Sequence, residues 1–428
     1  MSTQFRRATQ HLEQLLLHAT HAELAEQLAP RHGDLPPRVP GGTRVTPEAI
    51  AQRWNLLPVS TQCKTALTDA TTRLDPNTYR RNIENYIGTI QLPVGLAGPL
   101  RVNGLFARGD YYVPLATTEA ALVASYDRGA HLMSMAGGCS AVLLAEGVSR
   151  APGFAFHSIS EASVFVSWAV ANFEHFRTVA AETTRHGALI DLRVTIEGNY
   201  AFLVFDYTTG DAAGQNMVTI ATEAICKYII GNSPVTPEYH FIEANLSGDK
   251  KASAQSFQSV RGKKVSADVT ITAELVEQLL HTTVERMVDY WRMSTMGGAM
   301  SGIMGVQGHY ANGLAALYLA CGQDVACVAE SAVGITRFEM TGDGSLYATV
   351  MLPNLIVGTV GGGTQLPTQA ACLEILGLAG EGKARAFAEV CAAVALAGEL
   401  SIAGALSAGD FTRAHQRLAR ATQKKVGE

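Results

Sequence analysis

A few charged residues in apolar or glycine-rich surroundings are where chemistry could start in this chain. Asp249-Lys250-Lys251 follows Asn245 and Gly248 in a polar loop. A lysine beside a carboxylate can act as an electrophile or an acid, and the plainer reading is a solvated charge cluster. Glu119, in Ala116-Thr117-Thr118-Glu119-Ala120-Ala121-Leu122, enters an apolar helix. It is either a capping-box member or a buried carboxylate with a raised pKa. Asp324 closes the apolar helix that runs into Cys321-Gly322-Gln323, where a negative charge opposes the helix dipole. His415 lies on a helix expected over 410–425, with Arg413, Arg417, Arg420 and Lys424 on one face. That face is either a solvated basic surface or a proton donor beside an anion.

Two glycine-rich stretches could approach a phosphate. Gly210-Asp211-Ala212-Ala213-Gly214-Gln215-Asn216-Met217 opens a helix. The glycines allow close backbone approach and the helix N-terminus attracts anions, while Asp211 as an ordinary N-cap is the alternative. Thr359-Val360-Gly361-Gly362-Gly363-Thr364 follows a strand-like run. It implies either backbone contact with a ligand or another chain segment, or a tight turn. A third stretch, 377–383, matches the first seven positions of a P-loop. Its eighth position is Ala384, where a Ser or Thr should hold magnesium. The G-x-G-x-x-G, H-E-x-x-H and G-x-S-x-G motifs are absent.

The elements that must position these residues are partly visible. Residues 8–29 carry leucines at helical spacing, Pro30 ends that helix, and a proline- and glycine-rich linker follows. Thr46-Pro47 marks the start of another helix, so a helical unit runs to about residue 75. Residues 188–195 and 200–207 alternate around Glu197-Gly198-Asn199 and predict a hairpin. Helices predicted over 158–180 and 216–230 flank it, giving a small α+β unit over about 152–241. The last fifty residues are alanine-rich and helical.

Composition narrows the class. The 428 residues carry a net charge of −5, with 47% hydrophobic and 17% charged residues. That is long enough for two or three packed units and gives no reason to expect nucleic acid as a partner. Seven scattered cysteines form no C-x-x-C pair, so neither a zinc ribbon nor another metal site is expected, and free thiols suit a cytoplasmic setting. The best membrane candidate, 386–400, is interrupted by Glu389 and Glu399, so no membrane partner is expected.

Taken in order, these stretches resemble one family, the 3-hydroxy-3-methylglutaryl-coenzyme A reductases, from about residue 80 to 420. Glu84-Asn85-Tyr86-Ile87-Gly88 with 92–100 resembles its E-N-x-I-G…P-V-G-x-A-G-P-L block. Residues 113–119 resemble its V-P-M-A-T-T-E, 210–217 its cofactor loop, and 359–373 its glycine-rich segment. Ala397-Gly398-Glu399-Leu400-Ser401 and the stretch bearing His415 resemble its C-terminal signature.

The resemblance implies a four-electron, NADPH-dependent reduction of the thioester to mevalonate and free coenzyme A. It implies that Lys250 stabilises the thioester oxygen and Glu119 gives it a proton. Asp324 would pair with both, Asn312 would orient the set, and His415 would protonate the departing thiolate. Asp211, Ala213, Gly214, Gln215, Asn216 and Met217, with Gly361, Gly362 and Gly363, would hold NADPH. Thr184 and Arg185 would meet its 2′-phosphate. Arg150, Lys251 and Arg292 would surround the acyl carboxylate, with Asp249, Glu243, Glu84, Asn85, Ser125 and Arg128 also on the substrate.

Several positions depart from the family pattern. Glu243 stands where many members carry a serine that meets the substrate carboxylate, and Arg292 replaces a lysine. Ala213 and Gln215 replace two methionines, Asp127 stands where Asn is frequent, and Ala421 aligns with a regulatory serine. Glu243 motivates an alternative, reduction of a different 3-hydroxyacyl-coenzyme A. A non-catalytic coenzyme A or nucleotide binder is a third reading.

The implied fold is mixed α/β and α+β. A helical N-terminal domain covers 1–79, and a large domain around a central helix covers 80–151 plus 242–400. A ferredoxin-like cofactor domain is inserted at 152–241, and 401–428 is a C-terminal catalytic segment. No counterpart of the eukaryotic membrane anchor is expected. The site would lie between subunits of a dimer or of a tetramer built from dimers.

Overall fold

The computed structural model describes residues 16–17, 19–28, 37–40, 42–68, 75–80 and 82–409. Two compact units divide the chain, Met1–Thr89 and Ile90–Glu428.

In the first unit, helix α1 spans His21–Leu28, α2 Pro47–Trp54 and α3 Thr61–Leu67. Thr46 caps α2, its hydroxyl accepting from Ala49 N at 3.3 Å, with Pro47 in the first turn. The buried Arg53 organises this unit. Its guanidinium donates to the carbonyls of Pro40, Gly42, Arg44 and Tyr86, while Trp54 Nε1 donates to Ile87 O. Five donors in a rigid fork can satisfy several otherwise orphaned carbonyls at once. The tail of the expected linker is therefore tied down rather than free. The first half of the helix expected over 8–29 lies outside the described residues.

The second unit is built on an eleven-stranded mixed sheet. Strand β1 (Val94–Gly104) pairs antiparallel with β2 (Arg108–Ala116) and parallel with β3 (Cys139–Arg150). Helix α4 (Leu122–Met135) joins the β1–β2 hairpin to β3. In one direction β3 pairs with β8 (Gly262–Ile271), then β11 (Leu346–Leu355), β10 (Gly334–Met340) and β9 (Gly305–Val306). In the other it pairs with β6 (Tyr200–Tyr207). Strand β6 lies between β5 (Leu189–Glu197) and β4 (Gly153–Ala155), and β4 pairs with β7 (Tyr239–Phe241).

Between β4 and β7 the chain order is strand, two helices, hairpin, helix, strand. The helices are α5 (Ile159–Ala171), α6 (Phe173–Ala181) and α7 (Gln215–Asn232). The predicted helix over 158–180 is thus two. The break falls at Asn172, whose side-chain amide donates to Trp168 O at 2.9 Å. A backbone-seeking side chain of this kind competes with helix continuation. Phe154, Phe156, Phe165, Phe176 and Phe205 fill the space beneath these helices.

Between β8 and β10 run α8 (Ala273–Leu280), α9 (Val284–Ser301), α10 (Tyr310–Ala320) and α11 (Val328–Ser331). Helix α12 (Pro367–Ile375) precedes α13 (Ala384–Ala408), which packs across β3, β8 and β11 and against α4, α9 and α10.

Helix α13 is 25 residues long and apolar enough to cross a membrane by length and composition, yet 89% of its apolar window is buried inside the protein. Its alanines let neighbours come close. A Cβ on Gly129 of α4 would stand 1.9 Å from Ala397 O, so only glycine fits that crossing. The two glutamates expected to interrupt the helix serve as caps for other segments. Glu389 accepts from Phe106 N, Ala107 N and Leu143 N, satisfying the β1–β2 turn from below.

Candidate active site

Two groups of polar residues form. The first gathers where β3 ends, where the loop 242–253 passes, and where α11 begins. Lys250 is held at both ends. Its Nζ lies 2.8 Å from Asp324 Oδ2, and its backbone N donates to Glu330 Oε1 at 3.1 Å. The hydrogen bond to Asp324, then that carboxylate's charge, raises the lysine pKa above its ordinary value. Lys250 and Asn245 both take positive φ, 58° and 67°. Asparagine visits that region readily, but lysine does so rarely, and the bond from Lys250 N to Glu330 helps to hold it there.

Asp324 does not end a helix, contrary to expectation. Helix α10 stops at Ala320, Gly322 turns the chain at φ +68°, and Asp324 Oδ1 then caps the next turn through Ala326 N at 3.0 Å. Its charge therefore sits at a favourable N-terminus.

Arg150, at the end of β3, donates from Nη1 to Asp249 Oδ2 at 2.9 Å and to Glu243 Oε2 at 3.3 Å. Its Nε is buried and has no hydrogen-bond partner among the described residues. Arg261 grips both oxygens of Glu330 at 2.6 Å, and its Nη2 lies 2.8 Å from Asp249 Oδ1, off the hydrogen-bond line. Burial pushes the Glu330 carboxyl up, with Arg261 working against it. Neither Arg261 nor Glu330 was singled out in the sequence. The available signal was a charge inside the apolar run 327–333. Gln215 Nε2 approaches Cys327 Sγ at 2.8 Å, bringing the start of α7 to this group.

The second group lines a cavity of about 420 Å³ that includes Glu119, Ser125, Arg128, His309 and Asn312. Glu119 is exposed, not buried in a helix. Ala121 takes φ +71°, so α4 begins only at Leu122, and Glu119 stays on the preceding turn with its N donating to Thr117 Oγ1. Asn312 Nδ2 reaches both Glu119 oxygens at 3.4–3.5 Å. Ser125 Oγ and Arg128 both bond to Ser401 of α13. Among the described residues no hydrogen bond or ion pair joins Glu119 to Lys250 or Asp324. The expected contact of Asp324 with both is therefore made to Lys250 alone.

The two glycine-rich stretches meet. Thr359 N and Val360 N donate to Asp211 O, and the Asp211 carboxylate accepts from Gly382 N at 2.8 Å and Ala384 N at 3.1 Å. Asp211 thus caps α13, not the helix that follows it in sequence. It also fills with a protein carboxylate the place where the P-loop-like stretch would have met a phosphate. Helix α7 starts from Gly214 with no side-chain cap, which leaves its first-turn amides to other partners. The glycine run divides as well. Gly363 abuts the backbone of Gly322, while Gly361 and Gly362 take φ +75° and +54°. Ala213 is half-buried beside Gly358.

The remaining candidates scatter. Thr184 and Arg185 sit on the connection from α6 to β5, where Thr184 Oγ1 accepts from His186 N and Arg185 is exposed. Lys251 is exposed beside Lys250. Arg292 pairs with Asp289 one turn back on α9, and among the described residues no hydrogen bond or ion pair joins it to the Arg150 group. Glu84 and Asn85 belong to the first unit, where Asn85 N donates to Gly42 O. Asp127 Oδ1 accepts from Gly98 N, a role that an asparagine oxygen would fill equally. His415 and Ala421 lie outside the described residues. Among the described residues no three His, Cys, Asp or Glu side chains gather as a metal site.

The family model for hydroxymethylglutaryl-coenzyme A reductase matches residues 49–420. The 3-hydroxy-3-methylglutaryl-coenzyme A reductase of Methanocaldococcus jannaschii is 44% identical over 346 residues, 80% of this chain and 85% of that one. The enzyme of the same name from Aeropyrum pernix is 44% identical over 349 residues, 80% and 82% of the two chains. Among solved structures, the NADPH-bound class II reductase of Streptococcus pneumoniae superposes with a TM-score of 0.64 at 19% identity, over 84% of this chain and 96% of that one, a likeness of fold. With the family model matched over residues 49–420 and 44% identity to a relative over four fifths of its length, this chain belongs to the hydroxymethylglutaryl-coenzyme A reductase family.

Proposed function

We propose that this protein reduces the thioester of 3-hydroxy-3-methylglutaryl-coenzyme A to mevalonate and free coenzyme A, using NADPH. The observation that carries the reading is Lys250, held on a strained loop by Glu330 and by Asp324. Each reduction step turns a carbonyl oxygen into an oxyanion. A fixed ammonium with a raised pKa keeps its proton and stabilises that charge as it develops. Asp324 fixes the ammonium and Asn312 orients Glu119, which gives the oxygen its proton. His415 protonates the departing thiolate.

NADPH supplies the hydrides when bound. The start of α7, at Gly214, Gln215, Asn216 and Met217, and the left-handed backbone of Gly361 and Gly362 suit a pyrophosphate. Asp211, Ala213 and Gly363 hold these segments together. The exposed Arg185, beside Thr184, suits a 2′-phosphate dianion. Arg150 and Lys251 take the acyl carboxylate, with Asp249 orienting Arg150. Arg292, Ser125 and Arg128 complete the substrate contacts from the second unit.

The strand order β7-β4-β6-β5, with its strand–helix–hairpin–helix–strand sequence, supports an inserted ferredoxin-like cofactor domain over 152–241. The other parts are a helical domain over 1–79, a large domain over 80–151 and 242–400, and a catalytic segment over 401–428. The lack, among the described residues, of any hydrogen bond or ion pair from Glu119 to the Lys250–Asp324 pair supports a site completed between two copies of the chain, in a dimer or a tetramer of dimers.

Glu243 favours a second reading, a 3-hydroxyacyl-coenzyme A without the distal carboxylate. It already places a carboxylate on Arg150, where the acyl carboxylate would bind. Under the first reading Glu243 competes with the substrate. Glu243→Ser should then lower KM for hydroxymethylglutaryl-coenzyme A about tenfold, the worth of one charge-assisted bond, with kcat nearly unchanged. An unchanged KM, with turnover of 3-hydroxybutyryl-coenzyme A in the wild type, favours the second reading. NADPH oxidation measured with coenzyme A release over both substrates tests the proposal as a whole.

A further inference from the structure

The cavity that holds Glu119 and Asn312 has a third polar wall, His309, immediately ahead of α10. Its imidazole stacks on Tyr126, centroids 5.5 Å apart and planes 18° apart. Nδ1 lies 3.2 Å from Glu399 Oε1. Glu399 comes from the middle of α13 and is only 3% exposed.

Three other donors converge on the same carboxylate. His309 N lies at 2.8 Å, Gly308 N at 2.7 Å and Thr336 Oγ1 at 2.8 Å. Thr336 gives its hydroxyl proton to Glu399 and accepts from Tyr310 OH at 2.8 Å. A carboxylate accepts and cannot donate, so His309 Nδ1 must carry a hydrogen. A neutral imidazole has one N–H, which leaves Nε2 as a bare lone pair. Nε2 has no hydrogen-bond partner among the described residues, and the ring lines the cavity.

We propose that Glu399 is a positioning residue that selects this tautomer of His309, and that Nε2 accepts a hydrogen bond from a donor of the bound acyl-coenzyme A, a hydroxyl or an amide N–H. The inference rests on the reductase reading of the cavity. A backbone clamp alone would need Gly308 N and His309 N but would be indifferent to the ring.

Two replacements separate these roles. His309→Asn keeps a donor near Nδ1 for Glu399 and deletes Nε2. His309→Gln keeps an acceptor near Nε2 and gives up the bond to Glu399. His309→Asn should raise KM for hydroxymethylglutaryl-coenzyme A about tenfold, with Tm and the KM for NADPH unchanged, and His309→Gln should recover most of that loss. Glu399→Gln can donate to Nδ1, which reverses the tautomer and should cost at least as much as His309→Asn.

Imidazole 15N spectra read the tautomer without turnover. One neutral ring should be protonated on Nδ1, absent in His309→Asn and altered in Glu399→Gln. Wild-type kinetics in His309→Asn, or a ring protonated on Nε2, overturns the proposal. If the Nδ1-protonated ring is present and the wild type turns over no acyl-coenzyme A, the reductase reading fails while the tautomer assignment stands.

Discussion

Replacing Lys250 with methionine should lower kcat/KM for hydroxymethylglutaryl-coenzyme A about a thousandfold, or roughly 4 kcal/mol of transition-state stabilisation. Methionine keeps the length of the stem and the backbone N–H that donates to Glu330, so the loop keeps its anchor. What it loses is the ammonium that Asp324 holds at 2.8 Å. Tm should stay within a degree or two, because the Lys250–Asp324 pair is partly exposed and such pairs contribute little to stability. NADPH binding, followed by fluorescence, should survive. Arginine should not restore activity, since its planar fork cannot replace a compact point charge. Activity within tenfold of wild type would remove Lys250 from the chemistry.

The largest effect on stability is expected at Arg261. Its guanidinium is 3% exposed and its partner Glu330 is fully buried. Arg261→Met strands Glu330 and relieves Asp249 of one of its two arginines, and stranding a buried charge typically costs about 3–5 kcal/mol. Differential scanning calorimetry should show Tm falling by several degrees.

The pH dependence supplies a sign. The folded pKa of Glu330 is already raised by burial, so the folded state takes up its proton at higher pH than the unfolded chain does. This group's contribution improves as pH falls through the folded pKa toward the unfolded value near 4.5, and worsens as pH rises. Without Arg261 the folded pKa climbs further, so the Tm gap to wild type should narrow from pH 7 toward pH 5. Arg261→Met combined with Glu330→Gln should recover much of the loss. A gap that widens at low pH would contradict the assignment.

How much was legible in the sequence follows the range of the interaction. The β5–β6 hairpin and α7 were visible because alternation and helical period are local properties. So were the two glycine-rich stretches. The sequence could not show that Asp211 joins them, or that its carboxylate caps a helix 173 residues away.

Glu119 and Asp324 illustrate a subtler failure. Both sit beside helices whose ends moved by a few residues, through Ala121 at φ +71° and Gly322 at φ +68°. A boundary shift of that size left Glu119 exposed, neither the capping-box member nor the buried carboxylate expected, and turned an unfavourable helix end at Asp324 into a favourable cap. Arg261 with Glu330, and His309 with Glu399, are 69 and 90 residues apart. No periodicity links such pairs, since the sheet register and the path of α13 bring them together.

The most direct measurement is the stoichiometry of the purified protein with hydroxymethylglutaryl-coenzyme A and NADPH. NADPH oxidation is followed by absorbance and free coenzyme A by its thiol. Two NADPH consumed for each coenzyme A released, with Lys250→Met inactive in the same assay, is the expected result. No oxidation, oxidation that stops at one NADPH per thiol, or turnover confined to acyl groups lacking the distal carboxylate would contradict it.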